Sequence, residues 1–174
     1  MTEAVLREIM ARYALRWDGI HGFRHWGRVL ANGRRLAPHT GADLVVVEWF
    51  ALFHDARRLN DGRDPGHGRR GGDLAGALHD RELLDITDEQ LALLRDACER
   101  HTDGLVDADP TVQTCWDADR LDLARVWITP DPRYLCTPAA REPETIEWAI
   151  DRSRSDHEVP EVGGWVRWVS PDGR

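Results

Sequence analysis

Between Ala42 and His54 nearly every residue is apolar, and this run constrains the fold more than any other feature of the chain. It reads as a helix without a polar face, and such a helix must be enclosed by other elements on most sides. Its greasiest part, Leu44 to Phe53, is interrupted by Glu48 and falls far short of the ~20 apolar residues needed to cross a bilayer, so it is a core element and not a membrane span. Elsewhere apolar residues recur mainly three and four apart, with no internal repeat or low-complexity tract, which predicts an all-α fold built around a central buried helix at about 42–55. At 174 residues the chain has the length of one domain, and residues 1–174 are read as one.

End signals bound the predicted elements. A first helix runs from the N-cap Thr2 to Arg16, where Trp17-Asp18-Gly19 ends it. A second covers about Phe23 to Leu36 and is stopped by Pro38. The stretch from Asn60 to Gly72, rich in Gly, Asp and Arg, reads as an ordered loop at a functional edge, and a helix follows it to about His79. Thr87, with Gln90 three residues later, opens a helix that reaches His101. Asp109 and Pro110 open another that runs to about Trp127. Beyond Thr129 the chain is Pro-rich, then helical from about Pro143 to Ser153, with a Trp-containing tail (residues 130–174 in all) packing back on the core.

Charge narrows the choice of partners. The chain carries 23 basic and 31 acidic residues, a net charge of -8, which is the opposite of what a general nucleic-acid binder shows. All of the basic residues are arginine, so lysine chemistry is excluded while forks suited to phosphate or carboxylate are plentiful. Three cysteines, Cys98, Cys115 and Cys136, suit neither a disulfide framework nor a zinc finger. The N-terminus is amphipathic and lacks the apolar core of a signal peptide, so the expectation is a cytoplasmic protein with no membrane partner.

Two His-Asp pairs occur, and position separates them. His54-Asp55 ends the most apolar helix, whereas His79-Asp80 opens the charged stretch Asp80-Arg81-Glu82 and reads as solvated surface. A metal ligand inside a helical bundle must project inward, which can be tested on each helix by its apolar stripe. Asp119 falls within the stripe Val112, Trp116, Leu123 and Val126, while Asp117 points the opposite way. His25 heads the stripe Val29, Gly33 and Leu36; His101 closes Leu91, Leu94 and Cys98; His67 precedes Gly71, Leu74 and Leu78. A carboxylate buried like Asp119 costs several kcal/mol unless a cation or strong donors compensate. His39, His79 and His157 show no such placement and are assigned to the surface. His21 lies four residues before His25 and could share its face.

The order His25, His54-Asp55, His67, His101, Asp119 resembles the HD-domain metal-dependent phosphohydrolase superfamily over about residues 21–125. Leu52-Phe53-His54-Asp55-Ala56-Arg57-Arg58 looks like its apolar-His-Asp segment, with Arg58 where many members carry lysine. His67-Gly68-Arg69-Arg70-Gly71-Gly72-Asp73-Leu74-Ala75 looks like the start of its second-metal helix, His101-Thr102-Asp103-Gly104 like its helix-terminating histidine, and Ala118-Asp119-Arg120-Leu121 like its final aspartate. The two extra histidines are similar to those of dinuclear members, including bacterial symmetrical diadenosine tetraphosphatases. Asn60 to Gly66 and the chain beyond Thr129 do not match that group.

The resemblance implies His25, His54 and Asp119 on one metal, His67 and His101 on a second, and Asp55 bridging. Imidazole and carboxylate without thiolate suit Fe, Mn, Co, Ni or Zn. One or two such divalent ions would offset the buried carboxylates and supply a metal-bound hydroxide for attack on a nucleotide or other small phosphorylated metabolite. Asp55 and Arg58 are the expected catalytic residues; His21, Arg69, Arg70 and Arg120 are expected at the substrate or behind the ligands. The alternatives are an HD-type di-iron oxygenase, which shares the six ligands, and a non-catalytic nucleotide-binding HD domain.

Overall fold

The computed structural model of the protein describes residues 2–155 and 159–169, and among these every regular element is helical. In chain order they are α1 (Glu3–Met10), α2 (Phe23–Thr40), α3 (Leu44–Phe53), α4 (His67–His79), α5 (Asp88–Arg100), α6 (Pro110–Arg120), α7 (Pro138–Arg141), α8 (Pro143–Arg154) and α9 (Pro160–Val169). No described helix is long and apolar enough to cross a membrane.

The apolar run becomes α3, which touches α2, α4, α5 and α6. Asp43 caps it, its side chain accepting from the amides of Val45 and Val46. Phe50, Ala51, Leu52 and Phe53 are each at most 1% exposed, so the last turn of α3 is enclosed on all sides. Burying each of the large side chains there contributes roughly 1.5–3 kcal/mol, and His54 emerges directly from this rigid end. The capping box of Thr87 and Gln90 starts α5, and Asp109 with Pro110 starts α6. These two helices lie against α3 and each other.

Three predicted helices end elsewhere. The first stops at Met10 instead of Arg16, because residues beyond it turn back over the core: Tyr13 meets Trp26 edge-on at 5.2 Å, and Trp17 meets Phe23 at 5.8 Å. The second continues through Pro38 to Thr40 and ends at Gly41, whose φ of 72° is the left-handed cap. Proline keeps a helical φ and deletes only its own bond to the carbonyl four residues earlier, and here both Pro38 and Arg34 face solvent. The sixth stops at Arg120 instead of Trp127, giving way to a 3-10 turn at Leu123–Val126. Leu121 and Ala124 are therefore the buried apolar residues of that stretch, while Trp127 is 83% exposed.

The C-terminal part packs in two places. Leu36 and Leu121 join Leu135, Ala140 and Ala149 in a small second core under α7 and α8. Helix α9 lies on α1 and α2, with Val162 and Trp165 entering the main core and Trp165 against Phe23 at 5.9 Å.

Candidate metal centre

His25 lies in the first turn of α2, His54 caps the C-terminus of α3, and Asp55 follows it. His67 is the first residue of α4, His101 caps α5, and Asp119 sits one residue before the end of α6. Five helix ends thus meet at one place. The approach of α4 depends on missing side chains. A Cβ on Gly68 would lie 2.0 Å from the Cys98 carbonyl oxygen, and one on Gly71 would lie 2.1 Å from that of Phe53. Backbone therefore touches backbone, and this brings His67 against both His101 and Asp55.

Six donors converge in two groups, His25, His54 and Asp119 in one and Asp55, His67 and His101 in the other, the donor atoms of each group lying within 4.8 Å of one another. Asp55 stands between them. Its Oδ2 is 3.5 Å from His25 Nε2 and 3.6 Å from His54 Nε2, while its Oδ1 is 3.1 Å from His67 Nε2 and 3.9 Å from His101 Nε2. Asp119 Oδ1 closes the first group at 3.4 Å from His25 Nε2 and 3.9 Å from His54 Nε2. The four imidazoles and Asp55 are at most 4% exposed; the Asp119 side chain, at 16%, reaches the edge.

Each imidazole is oriented from behind. His25 Nδ1 donates to Asp122 Oδ2 at 2.7 Å, His54 Nδ1 to the Phe50 carbonyl at 3.0 Å, His67 Nδ1 to the Asp64 carbonyl at 2.5 Å and His101 Nδ1 to the Cys98 carbonyl at 2.7 Å. A proton on Nδ1 leaves a lone pair on Nε2. All four Nε2 atoms therefore turn lone pairs inward, with His25 facing His54 at 3.0 Å and His67 facing His101 at 3.0 Å. In this tautomer neither pair shares a hydrogen bond, and two carboxylates add further acceptors. A cavity so rich in acceptors, with only the Arg58 guanidinium reaching the second group, fits divalent cations, and the carbonyl and carboxylate partners are those that orient metal-bound imidazoles.

The electrostatics agree. Burial holds the His54 imidazole down to about 3 and also lowers His101, so these rings are neutral. Burial alone would raise Asp55, but protons taken up by the facing His54, His25 and His67 rings in acid would outweigh it and hold the carboxyl well below the usual carboxylate range. Burial would likewise raise Asp122, yet the His25 and Arg28 donors bring it to about 2.

Arg58 is the nearest guanidinium. Its Nη1 lies 3.2 Å from Asp55 Oδ1 and 3.0 Å from His67 Nε2, and its Nη2 donates to the Gly62 carbonyl at 2.8 Å. Beside it a cavity of about 370 Å³ is lined by Arg58, Arg63, His67, Thr102 and Asp103, among others. His21 borders the cluster without joining either donor group: its Nδ1 meets Asp61 Oδ1 at 2.8 Å and its ring stands edge-on to His25 at 6.3 Å. A larger groove of about 530 Å³ beside α1, lined by residues such as Arg7, Glu8 and Arg81, contains none of the six donors.

Three expected arginines are engaged elsewhere. Arg69 is exposed and lies 3.9 Å from Asp73, one turn along its own helix. Arg70 is tied to Asp64 at 2.5 Å and to the Arg57 carbonyl at 3.0 Å. Arg120 donates to the Tyr134 carbonyl and lies over Trp116. Arg70 and Arg120 thus hold loops and packing in place. Asp117 turns away from the cluster as expected but is buried, accepting from the amides of Cys136 and Thr137 at 2.6 and 2.8 Å. His39 is exposed, and His79 is half-buried with Nε2 donating to the Ile86 carbonyl at 2.9 Å. His157 lies outside the described residues.

Sequence reasoning missed Asp122, which accepts from His25, Arg28 and Ser153. It also missed Arg63 at the cavity. For Asp122 the spacing of three from Asp119 was the available signal, because it places both carboxylates on one side of a helix.

No family model matches the chain, and no curated protein matches it. Among solved structures, it is similar to a predicted HD superfamily hydrolase from an uncultured Thermotogales bacterium, with 24% identity, a TM-score of 0.64, and coverage of 85% of this chain and 84% of that one. The chain therefore shares the helical fold of that protein.

Proposed function

We propose that this protein is a metal-dependent phosphohydrolase acting on a nucleotide or other small phosphorylated metabolite. The observation that carries the reading is Asp55, a buried carboxylate that presents one oxygen to each of two groups of inward-facing lone pairs. The fold shared with a predicted HD superfamily hydrolase supports hydrolysis in general. Arg58 and Arg63 line the cavity together with Asp64 and Asp103, and their two guanidinium forks suit an anionic substrate such as a phosphate ester.

His25, His54 and Asp119 would hold one divalent cation, and Asp55, His67 and His101 a second. Ions bound there would supply Lewis acidity, polarising a phosphoryl oxygen and acidifying water. The chain's own part is to orient the imidazoles through Asp122 and the three backbone carbonyls, to keep the His54 and His101 rings neutral by burial, and to offer Arg58 and Arg63 to the substrate's charge. Phosphoryl transfer depends mainly on such positioning and charge stabilisation.

A screen of phosphorylated compounds with Mn or Fe(II), in the wild type and in Asp55→Ala, tests the reading. Phosphate or nucleotide release that a chelator and Asp55→Ala both abolish is the expected outcome. A broad panel with no turnover under any metal would contradict it.

A further inference from the structure

The two donor groups are not equivalent, because one of them already holds a cation that belongs to the chain. His67 Nε2 has a single lone pair, since Nδ1 donates to the Asp64 carbonyl. That lone pair receives Arg58 Nη1 at 3.0 Å, and the same Nη1 donates to Asp55 Oδ1 at 3.2 Å. Both atoms are donors of the second group. One lone pair cannot accept from a guanidinium and bind a metal ion together, so the two compete. Among the described residues no guanidinium is within hydrogen-bonding distance of the inward atoms of His25, His54 and Asp119: Arg28 donates to Asp122, behind His25.

We infer that Arg58 occupies the place of the second ion, so that the first group fills first and the second fills only when Arg58 is displaced. This rests on the metal-centre reading given above. It deepens that reading by assigning to one residue the difference between a mononuclear and a dinuclear form. The competitor is held firmly, being buried and bonded as well to the Gly62 and Asn60 carbonyls, so displacement also releases the turn that carries Arg63. Arg58 lines the cavity beside the site, and a displaced guanidinium would therefore remain where an anionic substrate enters.

Calorimetric titration of chelator-treated protein with Mn²⁺ tests this, because it reports stoichiometry and affinity without turnover. The wild type should bind one ion tightly and a second more weakly or not at all. Arg58→Ala should strengthen second-site binding at least about tenfold while leaving the first site unchanged, as expected for removing a hydrogen bond between charged groups. An unchanged first site also shows that the variant is folded. Arg63→Ala removes the same charge from the same cavity without touching a donor atom, and should change second-site affinity less than about threefold. Two ions of equal affinity in the wild type, or an equal gain in both variants, would overturn the inference. Absence of any binding to wild type would overturn the metal centre itself.

Discussion

Asp122 lies behind His25, with Oδ2 2.7 Å from Nδ1, and the same carboxylate binds Arg28 Nε through Oδ1 at 2.6 Å. One buried acid thus sets the tautomer of an imidazole and neutralises a guanidinium. Asp122→Ala should weaken Mn²⁺ binding at the first group by about 10–100-fold, the usual effect of losing a group that orients a ligand. It should also lower stability by about 3–5 kcal/mol, because Arg28 is left buried and unpaired. Titration and chemical denaturation of the same preparation read both effects, and unchanged affinity would refute the orienting role.

Asp55→Ala removes the carboxylate shared by the two groups, so metal content and phosphatase activity should disappear together. His79→Ala, at the other His-Asp pair, should alter neither, because that ring bonds to the Ile86 carbonyl away from the cluster. Equal losses in both variants would show that folding and not chemistry had been measured.

Stability of the metal-free protein should depend on pH with a definite sign. The buried His54 ring takes a proton only near 3, whereas in the unfolded chain it does so near its ordinary 6.5. Between those values the unfolded state binds more protons, so stability is full above about 6.5 and falls as the pH drops. For His54 alone the loss is about 1.4 kcal/mol per pH unit, or about 2 kcal/mol at pH 5. His101 acts in the same direction. Below about 4 the carboxylates of Asp55, Asp119 and Asp122, all held low in the folded state, add to the loss. Urea midpoints at pH 7 and pH 5 provide the check, and equal midpoints would contradict neutral buried imidazoles.

Gly71→Ala should cost about 1–3 kcal/mol, since its new methyl would press on the Phe53 carbonyl and push α4 off the cluster. Gly164→Ala, in open space on α9, should be neutral or slightly stabilising. Thermal melts of the pair distinguish close backbone approach from a general intolerance of substitution.

The helical period made much of this legible beforehand. His25, His67, His101 and Asp119 were placed inward because each continues an apolar stripe, and His54-Asp55 because it ends a helix with no polar face. Arg58 stands at Asp55 as its place after the His-Asp pair suggested, but the other arginines were not legible, because adjacency to a ligand in sequence does not say where a long side chain turns: Arg70 goes to Asp64 and Arg120 to the Tyr134 carbonyl. Asp117 escaped for another reason. Its burial comes from Cys136 and Thr137, a contact that no local pattern encodes. Asp122 depends on the early end of α6, where the change to a 3-10 turn coincides with a carboxylate beneath His25.

Whether this cluster serves hydrolysis is tested most directly by its oxygen requirement, because an oxygenase could use the same ligands and the same anionic substrate. Lewis-acid catalysis needs no change in metal oxidation state. Chelator-treated protein restored with Mn²⁺ under strictly anaerobic conditions should release inorganic phosphate or nucleotide from a phosphorylated substrate at its full aerobic rate. Product formation that ceases without oxygen, and that consumes oxygen stoichiometrically when it is supplied, would contradict the hydrolase assignment.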